Sequence, residues 1–174
     1  LKGQQKIHDD YGLWICLGNS GTCRPHHEPL PRYFEFYNIS HSWKGGGWFW
    51  TPEEGKKNFD SGCGVMLCPG IVHDYNGFDS YNEDFICFTG PVAEQMARCG
   101  IITSGIKRIG PLRVLLPIIE MAADPSRDSQ IRANIALQEL LVKIYFENLH
   151  DGKNANDNAI EYLIKEIIRS PEKW

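Results

Sequence analysis

Histidine and cysteine are the residue types in this chain best suited to metal binding or catalysis. A metal ion needs three or four nitrogen, oxygen or sulfur donors that converge on one point. No His-x-His pair occurs among the six histidines, and the adjacent side chains of His26, His27 and Glu28 diverge on an extended chain. Cys63 and Cys68 face opposite sides of one strand because their spacing is odd. The sequence therefore predicts no metal site and no cofactor.

The motifs of common enzyme classes are also missing from the sequence. It contains no nucleophile elbow, phosphate-binding loop or zinc-finger spacing. The glycine run at 45–47 is predicted to be a hairpin turn, since neither a helix nor a lysine-serine pair follows it. We therefore expect a protein that is not an enzyme.

A second group of side chains suits the recognition of a polar small molecule. Alternation along three predicted strands gives each strand one face with polar and aromatic side chains. These faces hold Tyr33, Glu35 and Tyr37, then His73 and Tyr75, then Glu83, Phe85 and Cys87. If they all turn inward, a single cavity contains Glu35, His73, Tyr75, Glu83 and Phe85, with Trp48 nearby. Planar polar groups beside a flat aromatic face are what a sugar requires.

Each of these residues also has a plain structural interpretation. Tyr75 and Phe85 fit a simple apolar core, and Glu35 fits an exposed position on a strand. His73 could serve only as a hydrogen-bond partner within the fold, and Trp48 could fill the barrel.

The elements that would position these residues change in type near residue 90. Before it, short apolar segments alternate with turns rich in glycine, proline and asparagine. The predicted strands cover 13–17, 33–40, 48–50, 57–59, 64–68, 71–75 and 83–89. Strands followed by helices predict a mainly β plus α fold, with a barrel over 1–90 and a helical region over 91–174.

The helical region contains four predicted elements. A short helix begins at Pro91 and stops at Gly100, and an apolar segment over 112–123 is interrupted by Pro117. A longer helix over 129–149, capped by Ser126 or Asp128, has two apolar flanks and one charged stripe. One flank has Leu137, Leu140, Leu141 and Ile144, and the other has Ile131, Ile135, Val142, Phe146 and Leu149. We expect one flank to pack on the barrel or a neighbouring helix and the other to face a partner subunit, with burial inside one domain as the alternative. A last helix covers 156–169.

Charge and hydropathy exclude other classes of partner. The formal net charge is −4, and no basic run exists that would neutralise nucleic-acid phosphates. No apolar stretch approaches the roughly 20 residues of a membrane span, and no secretory leader is recognisable. A domain of this length does not depend on disulfides, so we expect reduced thiols and a cytoplasmic protein that binds neither membrane nor, by itself, DNA.

The order of several motifs resembles the effector-binding and dimerisation domain of AraC-family transcription regulators. The resemblance rests on Cys23-Arg24-Pro25, the segments 32–36 and 64–75, Trp48 after the glycine turn, and the aromatic strand that ends in Gly90-Pro91. It implies a cupin-like jelly-roll barrel that binds a small effector, often a carbohydrate. It also implies antiparallel C-terminal helices that form a homodimer, and a helix-turn-helix DNA-binding domain beyond Trp174.

The resemblance also implies particular sugar-binding residues. By position these are Arg24, Tyr75, Glu83 and Phe85, with Arg32 as an alternative to Arg24. Glu83 and Phe85 depart from the histidine and tryptophan of the arabinose-responsive member, so the effector is expected to be a sugar or a related polar metabolite.

Two further interpretations compete with a ligand sensor. A cupin enzyme, such as a metal-dependent sugar isomerase or dioxygenase, would contain a bound divalent ion. A stand-alone binding barrel would lack any DNA-binding partner. Within the sensor interpretation, the polar segment 1–11 is predicted to fold over the barrel mouth as a lid.

Overall fold

The computed structural model describes residues 4–23, 25–79 and 81–149, without the side chain of Cys23. Arg24 and the helix predicted over 156–169 lie outside these residues. The strands are β1 (Trp14–Cys23), β2 (Arg32–Tyr33), β3 (Tyr37–Lys44), β4 (Gly47–Thr51), β5 (Gly55–Phe59), β6 (Cys63–Leu67), β7 (Val72–Gly77), β8 (Tyr81–Thr89) and β9 (Gly105–Arg108). The helices are α1 (Lys6–Tyr11), α2 (Pro91–Arg98), α3 (Leu116–Ala123) and α4 (Arg127–Leu149).

The strands form two antiparallel sheets. One has five strands in the order β1-β8-β3-β6-β9, and the other has four in the order β2-β7-β4-β5. From β5 onward, successive strands up to β8 alternate between the two sheets. This mainly antiparallel β structure followed by helices confirms the mainly β plus α prediction and is compatible with a cupin-like β-fold.

The glycine run at 45–47 does not form the predicted hairpin. It joins β3 to β4, and these strands belong to different sheets. Gly47 is required by packing, because a Cβ atom there would lie 2.3 Å from the carbonyl oxygen of Asn76 on the neighbouring strand β7. The tight hairpin in this region is instead β4–β5, in which Thr51 pairs with Gly55 across the turn at 52–54.

The prediction of one continuous strand over 33–40 is wrong for the residues between Tyr33 and Tyr37. β2 ends at Tyr33, the chain bends at residues 35 and 36, and β3 begins at Tyr37. Phe34 and Phe36 stack on each other with their ring centroids 4.9 Å apart. They face the interior between the sheets, so the alternate residues Tyr33 and Glu35 are left exposed.

Two apolar cores hold the fold together. A small one lies between the sheets and consists of Phe49, Phe59, Val65, Leu67 and Tyr75. A larger one lies between the outer face of the five-stranded sheet and the helices. It joins strand residues such as Ile39, Ile86 and Phe88 to Leu137 and Leu141 of α4.

The predicted helices near Pro91 and over 129–149 are present, as α2 and α4. α2 has Pro91 in its first turn, where the missing N–H costs nothing. The Ser126 hydroxyl accepts a hydrogen bond from the Ser129 N–H at the start of α4, as a capping residue does. The apolar segment 112–123 becomes helical only from Leu116, because Pro117 is accepted in a first turn and not in a helix interior.

Two elements lie where no element was predicted. α1 precedes the strands, and β9 follows α2 and extends the five-stranded sheet by pairing with β6. The lid prediction for the N-terminal segment also differs from the structure. α1 packs on α4, where a ring nitrogen of His8 lies 3.2 Å from the Gln130 side-chain oxygen, and no described residue before Leu17 lines the cavity between the sheets. None of the described helices is long and apolar enough to cross a membrane.

Candidate functional site

A cavity of about 240 Å³ opens between the two sheets. Its wall combines aromatic rings with polar groups of several kinds. It consists of Leu17, Arg32, Phe34, Phe36, Asn38, Tyr75, Glu83, Phe85 and Cys87. Typical ligand pockets begin at about 300 Å³, so the cavity suits a molecule smaller than most drugs.

Strand register explains why these side chains meet. Directly opposed residues in an antiparallel sheet point to the same face. Cys87 of β8 is opposite Leu17 of β1 and Asn38 of β3, and Phe85 is opposite Ser40 of β3. The inner face of the five-stranded sheet therefore contributes Leu17, Asn38, Glu83, Phe85 and Cys87 to the wall.

Arg32 brings a guanidinium group to the edge of the cavity. Its Nη2 atom lies 2.8 Å from the Asp74 carboxylate and donates a second hydrogen bond to the Tyr75 carbonyl oxygen, at 3.2 Å. The guanidinium carbon lies 4.8 Å from the centroid of the Tyr75 ring and 5.9 Å from that of Phe34. Nε of Arg32 is buried and has no hydrogen-bond partner within the described part of the chain.

Asn38 is a second polar residue with an incomplete set of partners. It is buried, and its amide nitrogen donates to the Cys87 sulfur at 3.4 Å. Its Oδ1 atom has no partner among the described residues. Burial raises the pKa of the Cys87 thiol to about 11, so this thiol is protonated near neutral pH and poorly suited to nucleophilic attack.

Tyr75 and Glu83 contribute hydroxyl and carboxylate groups from opposite sheets. Tyr75 of β7 is opposite Phe49 of β4, and burial raises the pKa of its phenol, which also hydrogen-bonds to Ser40. Glu83 of β8 accepts a hydrogen bond from the Tyr81 hydroxyl at 3.1 Å. Both groups are therefore held in place before any ligand enters.

His73 lies beside the cavity but does not line it. Its Nδ1 atom is 2.8 Å from the Ile71 carbonyl oxygen, and because a carbonyl only accepts, Nδ1 carries the proton. Nε2 is buried and has no partner among the described residues. Burial lowers the pKa of His73, which keeps the ring neutral, and the ring packs in parallel with Tyr75 at 6.4 Å.

Two other predicted site residues lie away from the cavity. Trp48 is opposite Asn76, and so it faces away from Phe49 and the interior. His26 packs edge-on against it at 5.5 Å, and Lys56 Nζ lies 4.3 Å from its ring. Glu35 is exposed in the bend between β2 and β3.

The structure thus brings together Tyr75, Glu83 and Phe85 from the predicted set. Arg24 lies outside the described residues, and the alternative arginine of the sequence analysis, Arg32, lines the cavity. Sequence reasoning missed four wall residues, which are Leu17, Phe34, Phe36 and Asn38, and it placed Cys87 on the inward face without naming it as a site residue. Phe34, Phe36 and Asn38 alternate along the chain and therefore share one face, but the prediction turned the other face, with Tyr33, Glu35 and Tyr37, toward the interior.

Residues 4–23, 25–79 and 81–149 contain no group of three or more His, Cys, Asp or Glu side chains placed to hold a metal ion.

Comparisons with known proteins find similar chains among solved structures. No family model matches the chain, and no curated protein does. One of the similar solved structures is an RmlC-like cupin family protein with a double-stranded β-helix fold from Methanocaldococcus jannaschii. The alignment with it covers 46% of this chain and 73% of that protein's chain, with 14% sequence identity and a TM-score of 0.34.

Proposed function

We propose that this chain is the ligand-sensing and dimerisation domain of an AraC-type transcription regulator. In this proposal it binds a small polar effector, such as a sugar, in the cavity between its sheets. The observation that carries the proposal is the wall of that cavity, where Arg32 Nε and Asn38 Oδ1 are buried without partners among the described residues, beside three phenylalanine rings.

The two unpartnered atoms favour a ligand that both donates and accepts hydrogen bonds. A buried polar group without a partner costs about 1–3 kcal/mol. Arg32 Nε needs an acceptor, and Asn38 Oδ1 needs a donor. A hydroxyl group serves either role, and a sugar adds an apolar C–H face for the ring of Phe85.

Binding without chemical change is supported by the protonation state of the wall. The pKa values of Tyr75 and Cys87 are both raised by burial, so neither group supplies an anionic nucleophile near neutral pH. These groups suit hydrogen bonding to a guest molecule.

Dimerisation is proposed through the outer flank of α4. The inner flank is buried in the larger core, whereas Ile135 is 48% exposed and Phe146 is 57% exposed. Apolar side chains in a row on one helix face are typical of a subunit interface. DNA would be bound by a helix-turn-helix domain outside these residues.

The test is isothermal titration of the purified chain with a panel of neutral monosaccharides and polyols. We expect saturable binding of at least one compound, and roughly tenfold weaker binding by Phe85→Leu, which keeps apolar volume but removes the ring. Trp48→Phe is the matched control, because it alters an aromatic residue on the opposite face of the four-stranded sheet and should leave the affinity unchanged.

Two results would contradict the proposal. If no compound binds, the effector is not a carbohydrate. If elemental analysis of the protein finds a stoichiometric divalent metal, the metal-dependent cupin enzyme becomes the better interpretation.

A further inference from the structure

The carboxylate of Asp74 forms the centre of a buried cluster behind the cavity wall. Asp74 is fully buried, and it accepts hydrogen bonds from the backbone N–H groups of Leu30, at 2.8 Å, and Tyr75, at 2.9 Å. His26 Nε2 lies 2.7 Å from the same carboxylate, and Arg32 Nη2 lies 2.8 Å from it. Each carboxylate oxygen therefore has two donors.

The net charge of this cluster is zero. The Asn76 amide nitrogen contacts His26 Nδ1, which makes Nδ1 the acceptor and leaves the proton on Nε2, facing Asp74. In that tautomer His26 is neutral. The single positive charge of Arg32 is therefore matched by the single negative charge of Asp74.

Charge neutralisation changes what Arg32 can recognise. A free buried arginine favours carboxylate or phosphate groups, which it binds through two parallel hydrogen bonds. Here Nη2 is already engaged by Asp74 and by the Tyr75 carbonyl, and Nε is the buried atom left without a partner among the described residues. Nη2 is therefore not free to complete a parallel pair of hydrogen bonds with Nε or with Nη1. The buried Nε–H on a neutralised group suits a single hydroxyl or carbonyl oxygen and gives no charge compensation to an anion.

We infer that Asp74 is a specificity-determining residue, which makes the cavity select neutral polar ligands and reject anionic ones of the same shape. Asp74 acts through Arg32 and does not need to touch the ligand. This inference rests on the proposed function, because it assumes that the cavity is the ligand site.

The first test compares D-galactose with D-galacturonate, a sugar with the corresponding uronic acid, on the intact chain by calorimetry. The wild-type protein should bind the neutral sugar at least roughly tenfold more tightly. Asp74→Asn should reduce that preference roughly tenfold or reverse it, because Arg32 then keeps an unmatched positive charge. Equal preference in both proteins would overturn the inference.

Asp84→Asn is the matched control. Asp84 is also fully buried and also paired with an arginine, Arg113, at 2.7 Å, but it faces the helices. Its substitution should lower stability in a similar way and leave the ratio of the two affinities unchanged. If both variants alter the ratio equally, the effect is structural and the inference fails.

A second measurement needs no knowledge of the effector. Sodium formate, the smallest carboxylate, is titrated while the NMR signal of the Arg32 Nε–H group is followed. We expect no saturable shift in the wild-type protein and a saturable shift in Asp74→Asn. A saturable shift in the wild type would overturn the inference even if the variant did not fold. If neither sugar binds the wild type, the carbohydrate proposal fails while this titration still tests Asp74.

Discussion

Arg113, in the loop before α3, donates two hydrogen bonds to the carboxylate of Asp84 on β8, from Nη2 at 2.7 Å and from Nε at 3.0 Å. The same guanidinium donates to the Ser20 hydroxyl at 2.7 Å and lies 4.4 Å from the ring of Trp43. Asp84 is flanked in sequence by Glu83 and Phe85, which line the cavity from the other face of the strand. One ion pair therefore connects the cavity strand to the chain that enters the helices.

This ion pair predicts an asymmetric effect on stability. Arg113→Ala leaves a fully buried carboxylate without compensation, whereas Asp84→Asn leaves a guanidinium that is 34% exposed and can be hydrated. Arg113→Ala should therefore lower the urea midpoint more than Asp84→Asn. Arg98→Ala, which breaks an exposed pair 3.9 Å long, is the control and should have little effect. The reverse order of the first two variants would contradict the assignment.

The exposed flank of α4 predicts a dimer that one substitution dissociates. Phe146→Glu places a charge in the proposed interface, and sedimentation velocity should show a monomer where the wild type shows a dimer. Leu30→Glu is the control, since Leu30 is 60% exposed but lies in the loop before β2. A wild-type protein that is monomeric at micromolar concentration would refute the interface, as would dissociation by both variants.

Close strand packing predicts that two glycines in the five-stranded sheet tolerate alanine very differently. A Cβ atom on Gly64 would lie 1.7 Å from the Ser40 carbonyl oxygen, a backbone atom of the paired strand β3. Gly64→Ala should therefore lower the free energy of unfolding by about 1–3 kcal/mol or more. A Cβ atom on Gly21 of β1 would have no neighbour within 4 Å. Gly21→Ala should therefore change the free energy of unfolding by less than about 0.5 kcal/mol. Equal losses in chemical denaturation would contradict this packing.

The sequence was sufficient to predict the elements whose local signals agree with their surroundings. Period-two segments and turn residues indicated most of the strands. The capping residue Ser126, together with the two apolar flanks of the segment that follows it, indicated α4. Alternation along β8 correctly grouped Glu83 with Phe85, because that strand is paired on both sides and keeps its register.

Failures occurred where tertiary contacts decide the conformation. The segment 33–40 has apolar residues on both faces, so alternation alone could not show that Phe34 and Phe36 face inward. The glycines at 45–47 have hairpin chemistry, yet the chain there crosses between sheets. Trp48 packs against His26 and Lys56, and neither residue is close enough in sequence for a local pattern to reveal the contact. The strand β9 is defined by its pairing with β6, which is distant in sequence.

Two buried histidines predict how stability depends on pH. Burial lowers the pKa of both His41 and His73 below the ordinary value of 6.5 in the folded protein, although Asp84 beside His41 opposes the shift and Arg113 adds to it. Below about pH 6.5 the unfolded chain therefore binds protons that the folded chain does not. The free energy of unfolding is at its full value above about pH 6.5 and decreases as the pH falls below it. The decrease is at most about 1.4 kcal/mol per pH unit for each histidine. His41→Gln removes one titrating group, and its amide nitrogen replaces the ring Nε2 that lies 2.8 Å from the Gly110 carbonyl oxygen. Urea denaturation at a series of pH values should give a shallower slope for this variant than for the wild type. A parallel pair of curves would mean that the pKa of His41 is the same in the folded and unfolded chains, and that burial does not lower it.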